Sequence, residues 1–140
     1  MNLFSLFKRN LIYQFKNKIP IDDDNVKTHS LDELFHHYGS DKANLFIETQ
    51  KKSHGYSIFY KKKLEKFKSL NTNILEIGSY SGASAAAFSK YLPKSNIFCF
   101  DINISNFKYK SNKIHVFGLD INNKNKVNKI LNQIFSKFSI

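Results

Sequence analysis

Apolar side chains recur at helical spacing at both ends of the chain and in short strand-like runs between them. Near the start, Leu3, Phe4, Phe7, Leu11 and Phe15 form a helical stripe across residues 3–16, with Lys8, Arg9 and Lys16 interspersed. The expectation is that this stripe packs on the domain or on a partner. The alternative is an interfacial helix resting on anionic lipid. Pro20 and the run Asp22-Asp23-Asp24-Asn25 break the pattern and read as a solvated linker. Ser30-Leu31-Asp32-Glu33 is a capping box that opens a short helix, which Gly39 ends. Ser40 or Asp41 then caps a helix over Lys42–Gln50, His54-Gly55 makes a turn, and a helix follows over Ser57–Leu70. On that helix Phe59, Tyr60, Leu64 and Phe67 share one side, and Lys61, Lys62, Lys63 and Lys66 face water.

From Asn73 onward strands and helices alternate, which predicts a parallel sheet. The strands are Asn73–Ile77, Asn96–Asp101 and Lys113–Phe117. Between the first two lies an alanine-rich helix, Ala83–Leu92, stopped by Pro93. A last helix carries Val127, Ile130, Leu131, Ile134 and Phe138 at helical spacing. The chain is thus α/β, a parallel sheet of about three strands with flanking helices, preceded by N-terminal helices. It divides into an N-terminal helix and linker (1–30), a helical lid or cap (31–72) and a sheet-bearing unit (73–140).

Composition narrows the partners. A net charge of +11 would suit nucleic acid, but Arg9 is the only arginine among 22 basic residues, so the bidentate fork that reads phosphates and guanine edges is almost missing. No nucleic-acid partner is expected. No apolar run approaches the about 18 residues that span a bilayer, and residues 3–16 lack the uninterrupted apolar core and cleavage site of a signal peptide. The single cysteine, Cys99, excludes an internal disulfide and fits a reducing cytoplasm. The three adjacent aspartates lack the alternating spacing of a calcium loop, so no metal site is read from them.

Candidate chemistry concentrates at Glu76-Ile77-Gly78-Ser79-Tyr80-Ser81-Gly82. Gly78 and Gly82 permit positive φ and close approach of backbone amides to an anionic ligand group. Asp101, closing the second strand, is placed to accept both hydroxyls of a ribose. Glu76, two residues before Gly78, would repel a pyrophosphate but suits a cofactor with an amino group and a sulfonium. That choice favours S-adenosylmethionine over NAD, whose Gly-x-Gly-x-x-Gly turn is also missing. Asp120 marks the end of the third strand. Upstream, Asp41, Lys42, His54 and Tyr56 lie where a lid over the cofactor would be built.

These motifs, Leu75–Ser84 with Phe100-Asp101-Ile102 and Gly118-Leu119-Asp120-Ile121, resemble the class I S-adenosylmethionine-dependent methyltransferases. Tyr38-Gly39-Ser40-Asp41-Lys42 followed by His54-Gly55-Tyr56 resembles, more narrowly, the bacterial macrolide and sugar O-methyltransferases. The resemblance covers roughly residues 31–138 and implies a partial Rossmann-like methyltransferase fold. It implies that Glu76, Gly78 and Gly82, with Ser79 and Tyr80, hold the methionine end of S-adenosylmethionine. Asp101, with Ile102, binds the ribose; Asp120 and Ile121 flank the adenine. Asp41, Lys42, His54 and Tyr56 close the pocket or contact the acceptor, a small-molecule or glycan hydroxyl, and His54 is the one upstream candidate for the base.

Two departures from the family pattern follow. Many members carry a third glycine where this chain has Ser79-Tyr80-Ser81, so Tyr80 must point away from the cofactor or stack over it. A fourth strand is expected near Phe138-Ser139-Ile140, leading into an acidic, histidine-bearing loop that supplies the base and Mg2+ ligands of the full-length protein. The expectation is therefore a truncated chain whose strand Asn73–Ile77 lies on an open edge, with oligomerisation through that edge. A non-catalytic interaction module is the competing reading.

Overall fold

The structure, a computed structural model, describes residues 3–26, 30–46, 51, 52 and 54–138. In chain order the elements are α1 (Leu3–Phe15), β1 (Ile19–Pro20), α2 (Leu31–His37), β2 (Leu45–Phe46), β3 (Lys51–Lys52), α3 (Ser57–Leu64), β4 (Asn73–Ile77), α4 (Ala83–Tyr91), β5 (Asn96–Asp101), β6 (Tyr109–Lys110), β7 (Ile114–Gly118) and α5 (Lys124–Phe138). Single 3-10 turns occupy Glu65–Phe67 and Ile104–Asn106.

The main sheet is parallel, in the order β4-β5-β7. Strand β5 is buried on both faces, as a continuous apolar run in the middle of a parallel sheet requires. Register places Ile74 beside Ile97 and Leu75 beside Phe98, so successive residues serve opposite layers. On one face Ile97 and Cys99 meet α4, whose alanines allow a close approach, and the layer continues through Phe88, Phe35 and Tyr60 in edge-to-face contact. On the other face Phe98, Phe100 and Leu119 are covered by α5 through Ile134 and Phe138. Strand β4 is an edge strand among the described residues, and its Leu75 and Ile77 are exposed.

Several local expectations are corrected. Residues 42–46 do not start a helix: Leu45–Phe46 pairs antiparallel with Lys51–Lys52, and residues 47–50 lie outside the described residues. The turn before this pair is fixed instead by the Asp32 carboxylate, which accepts the Asn44 N–H at 2.9 Å. Ser30 stands at the N-cap of α2 in an extended conformation but makes no side-chain capping bond. The helix expected over Ser57–Leu70 ends at Leu64 and gives way to the 3-10 turn; across the two, Tyr60, Leu64 and Phe67 pack inward as expected, while Phe59 is exposed. The last helix holds through Phe138, and residues 139 and 140 lie outside the described residues.

The stripe on α1 is also reversed. Leu3, Phe4, Phe7, Leu11 and Phe15 face outward, and the helix docks by its opposite side. There Leu6 is buried, Asn10 donates to the Gly118 carbonyl at 3.1 Å, and Arg9 and Lys16 reach the carbonyls of Ile102 and Ser105 at 3.2 and 2.9 Å. A Cβ at Gly118 would collide with the Asn10 side-chain amide, so a larger residue there would displace Asn10 from its seat.

The acidic run is not merely solvated. Ile19–Pro20 adds a short parallel pairing to Tyr109–Lys110. The Asp22 carboxylate then accepts the Ser111 hydroxyl and the Asn112 N–H, and the first of these bonds holds its pKa below the ordinary value. Asp24 accepts the Tyr38 hydroxyl at 3.0 Å, and Lys90 Nζ donates to the carbonyls of Asp22 and Asp24.

Candidate active site

The turn after β4 is built by backbone geometry. Gly78 (φ 80°) donates its N–H to the Phe100 carbonyl at 2.8 Å, which ties the strand end to β5. Gly82 (φ 77°) closes the turn by donating to the Ser79 carbonyl, also at 2.8 Å, and opens α4. A Cβ on Gly82 would lie 2.4 Å from the Phe107 ring, so the position demands glycine for space as well as for φ. Tyr80 has positive φ (44°) without being glycine. Its N–H donates to Asp101 Oδ2 at 2.7 Å, which offsets the strain and leaves the ring exposed.

Glu76 points to the α4 face of the sheet, and its side chain is only 10% exposed. Oε1 accepts the Ser84 hydroxyl, and Lys42 Nζ lies 3.7 Å from Oε1 and 3.3 Å from Ser84 Oγ. Oε2 is buried with no hydrogen-bond partner among the described residues. Burial pushes the Glu76 pKa up, and the Ser84 hydroxyl and Lys42 ammonium oppose that shift without cancelling it. Ser84 is the residue that sequence reasoning undervalued. Its only signal was a hydroxyl in the first turn of the helix that follows the glycine turn.

Two cavities flank this turn and share Gly78. One, of about 230 Å³, is lined by Gly39, Ser40, Asp41 and Lys42 on one side and by Ser79, Tyr80 and Ser84 on the other. The second, of about 200 Å³, is lined by Asp101, Ile102, Leu119, Asp120, Ile121 and Asn122. The structure thus gathers Gly78, Ser79 and Tyr80, with Glu76 behind Lys42 and Ser84, on one side of the turn. It places Asp101, Ile102, Asp120 and Ile121 together on the other. Gly82 lies beneath the turn, against Phe107.

The two acids of the second cavity are already engaged by the backbone. Asp101 accepts the N–H of Tyr80 and, through Oδ1, that of Asn103 at 2.7 Å. Asp120 accepts the Asn122 N–H at 3.0 Å. Each carboxylate oxygen retains capacity for a ligand hydroxyl.

Asp41, Lys42, His54 and Tyr56 are also brought together. The His54 N–H donates to the Asp41 carbonyl and the Tyr56 N–H to that of Lys42, both at 3.0 Å. His54 Nε2 lies 3.5 Å from the Asp41 carboxylate, and its ring stacks on Tyr56 with centroids 5.2 Å apart. Asp41 and Lys42 line the first cavity, while His54 and Tyr56 stand beside it, exposed. Among the described residues no group of three or more His, Cys, Asp or Glu is placed to hold a metal ion.

The fold was compared with solved structures. Two crystal structures of MycE, a methyltransferase of the mycinamycin biosynthetic pathway, superpose with a TM-score of 0.62 at 18% identity over 74% of this chain. This chain has a partial class I methyltransferase fold. One of those MycE structures contains Mg, SAH and mycinamycin VI, the other Mg and SAH. The chain spans 28% and 26% of the two MycE chains, less than a third of their length. No protein-family profile and no curated protein matches the sequence. No helix among the described residues is long and apolar enough to cross a membrane.

Proposed function

We propose that this chain binds S-adenosylmethionine as part of a methyltransferase that acts on a hydroxyl of a sugar or other small molecule. The observation that carries the reading is the buried Glu76 Oε2, a carboxylate oxygen beside a glycine turn with no partner among the described residues. A buried anionic oxygen costs free energy unless it is paired. The amino group of the cofactor is the cation that would pair it. Glu76 and the amides of the turn would hold the methionine end, Asp101 the ribose hydroxyls, and Asp120 with Ile121 the adenine. When bound, S-adenosylmethionine supplies a methyl group activated by its sulfonium.

The chain's own residues would position the acceptor and hold its proton. His54, oriented by Asp41 and stacked on Tyr56, is the candidate base; in the tautomer protonated at Nε2 its Nδ1 is the proton acceptor. Lys42 would balance the charge of Glu76 at the cavity wall. The described residues contain no set that would hold Mg2+, so no step here uses one. The reading places the protein in the cytoplasm, where the lone buried thiol Cys99 stays reduced.

Isothermal titration with S-adenosylmethionine tests the proposal, with NAD titrated alongside it. Binding of the first and not the second is expected. A folded protein that takes up neither at millimolar concentration overturns the reading. Cofactor binding without turnover on any sugar or small-molecule hydroxyl would favour the non-catalytic module.

A further inference from the structure

The outward face of α1 and the chain's charge distribution point to a second surface. All eleven acidic residues lie between Asp22 and Asp120. The segments on either side, 1–21 and 121–140, contain four basic residues each and no acid. These two acid-free segments meet in the fold. Leu3, Leu6, Phe7 and Asn10 of α1 form, with Lys126 of α5, an open groove of about 610 Å³. Beside it Leu3 is 80% exposed, Phe7 63% and Phe15 81%, and Leu11, Ile12 and Ile19 continue the apolar surface. Lys8 is exposed within this face.

We propose that the outward face of α1, with the basic start of α5 beside it, docks the protein on an anionic lipid surface. An interfacial helix needs Phe and Leu on one face with cations beside them, and α1 presents Leu3, Phe7, Leu11 and Phe15 with Lys8 on the same face and Lys126 alongside. A protein partner with an apolar groove would not account for the exclusion of acids from both segments. The helix is held to its own domain by Leu6, Arg9, Asn10 and Lys16, so the exposed Phe7, Leu11 and Phe15 are not the side chains that seat it. The inference does not depend on the cofactor reading.

The test is co-sedimentation with phosphatidylglycerol–phosphatidylcholine vesicles, with pure phosphatidylcholine as control. Binding to the anionic vesicles, weakening as salt rises, is expected. Phe7→Ser with Leu11→Ser, and separately Lys8→Glu with Lys126→Glu, should each lower the apparent affinity by about tenfold or more, with the thermal midpoint unchanged. The chain has no tryptophan, so Phe15→Trp adds a clean probe whose emission should shift to the blue on anionic vesicles only. No binding, equal binding to both vesicle types, or variants that bind like the parent overturns the proposal. So does a self-associated state that Phe7→Ser with Leu11→Ser dissolves in the absence of vesicle binding, which would assign the face to a second copy.

Discussion

Glu76 and Asp101 stand on neighbouring strands, on opposite sides of the same glycine turn, and do different work. Glu76 is buried, shares one oxygen with Ser84 and Lys42, and leaves the other without a partner. Asp101 is half-buried and is already used by the fold, accepting the amides of Tyr80 and Asn103. The first is a buried carboxyl group with one oxygen unsatisfied, the group that the proposed function pairs with the cofactor. The second is a structural brace with acceptor capacity left over. Two carboxylates that look equivalent in a motif therefore differ in what removing them would do.

Gly82→Ala should collapse both sides at once. Positive φ and the Phe107 ring together make the cost about 2–5 kcal/mol, read as a large fall in the thermal midpoint. A substitution that leaves the midpoint unchanged would mean that the turn tolerates far more than its geometry allows. Glu76→Gln should separate function from stability. Loss of a charged hydrogen bond weakens S-adenosylmethionine by about 1.5–3 kcal/mol, while removal of a buried charge raises the midpoint at neutral pH. Calorimetry and thermal melts on the same sample check both directions.

Asp101→Ala should lower both quantities, by about 1–2 kcal/mol each, because Tyr80 and Asn103 lose their acceptor along with the ligand. If it behaves like Glu76→Gln, the brace is not one. The smallest effect is on pH. The folded-state pKa of Glu76 lies above its unfolded value, so its contribution to stability is full below the ordinary carboxylate range. That contribution is lost as the pH rises through the raised value. Affinity for a cofactor bearing an amino group runs the opposite way over the same window, since the carboxylate must be ionised to bind it. Titrations at a series of pH values should show this rise, and Glu76→Gln should flatten it.

The sheet and the turn were legible because their signals are local. Ile74–Ile77, Gly78 and the run Asn96–Asp101 declare strand, turn and strand in consecutive residues, and the structure places them within a residue of the reading. Much of what was missed depends on distant partners. The pairing of Ile19–Pro20 with Tyr109–Lys110 is two residues long and has no periodicity to read. The stretch after Lys42 carries helix-compatible residues, but Asp32 fixes the turn from another element. For α1 the periodicity is real, but the stripe faces away from the domain. Its docking side is chosen by Asn10, Arg9 and Lys16 meeting main-chain carbonyls, a polar seating that an apolar stripe does not reveal. The lone oxygen of Glu76 is likewise a property of packing, invisible in the motif that contains it.

The bond from Asn10 to the Gly118 carbonyl spans 108 positions of the chain. During synthesis α1 leaves the ribosome well before β7, so its seat there does not exist until Gly118 has been added. At the usual rates of elongation that is a wait of about 5–20 s, during which both the Leu6 side and the phenylalanine side of the helix are bare. An element made this early is seated late, and a nascent chain of this protein would present a sticky, basic helix to its surroundings throughout that interval.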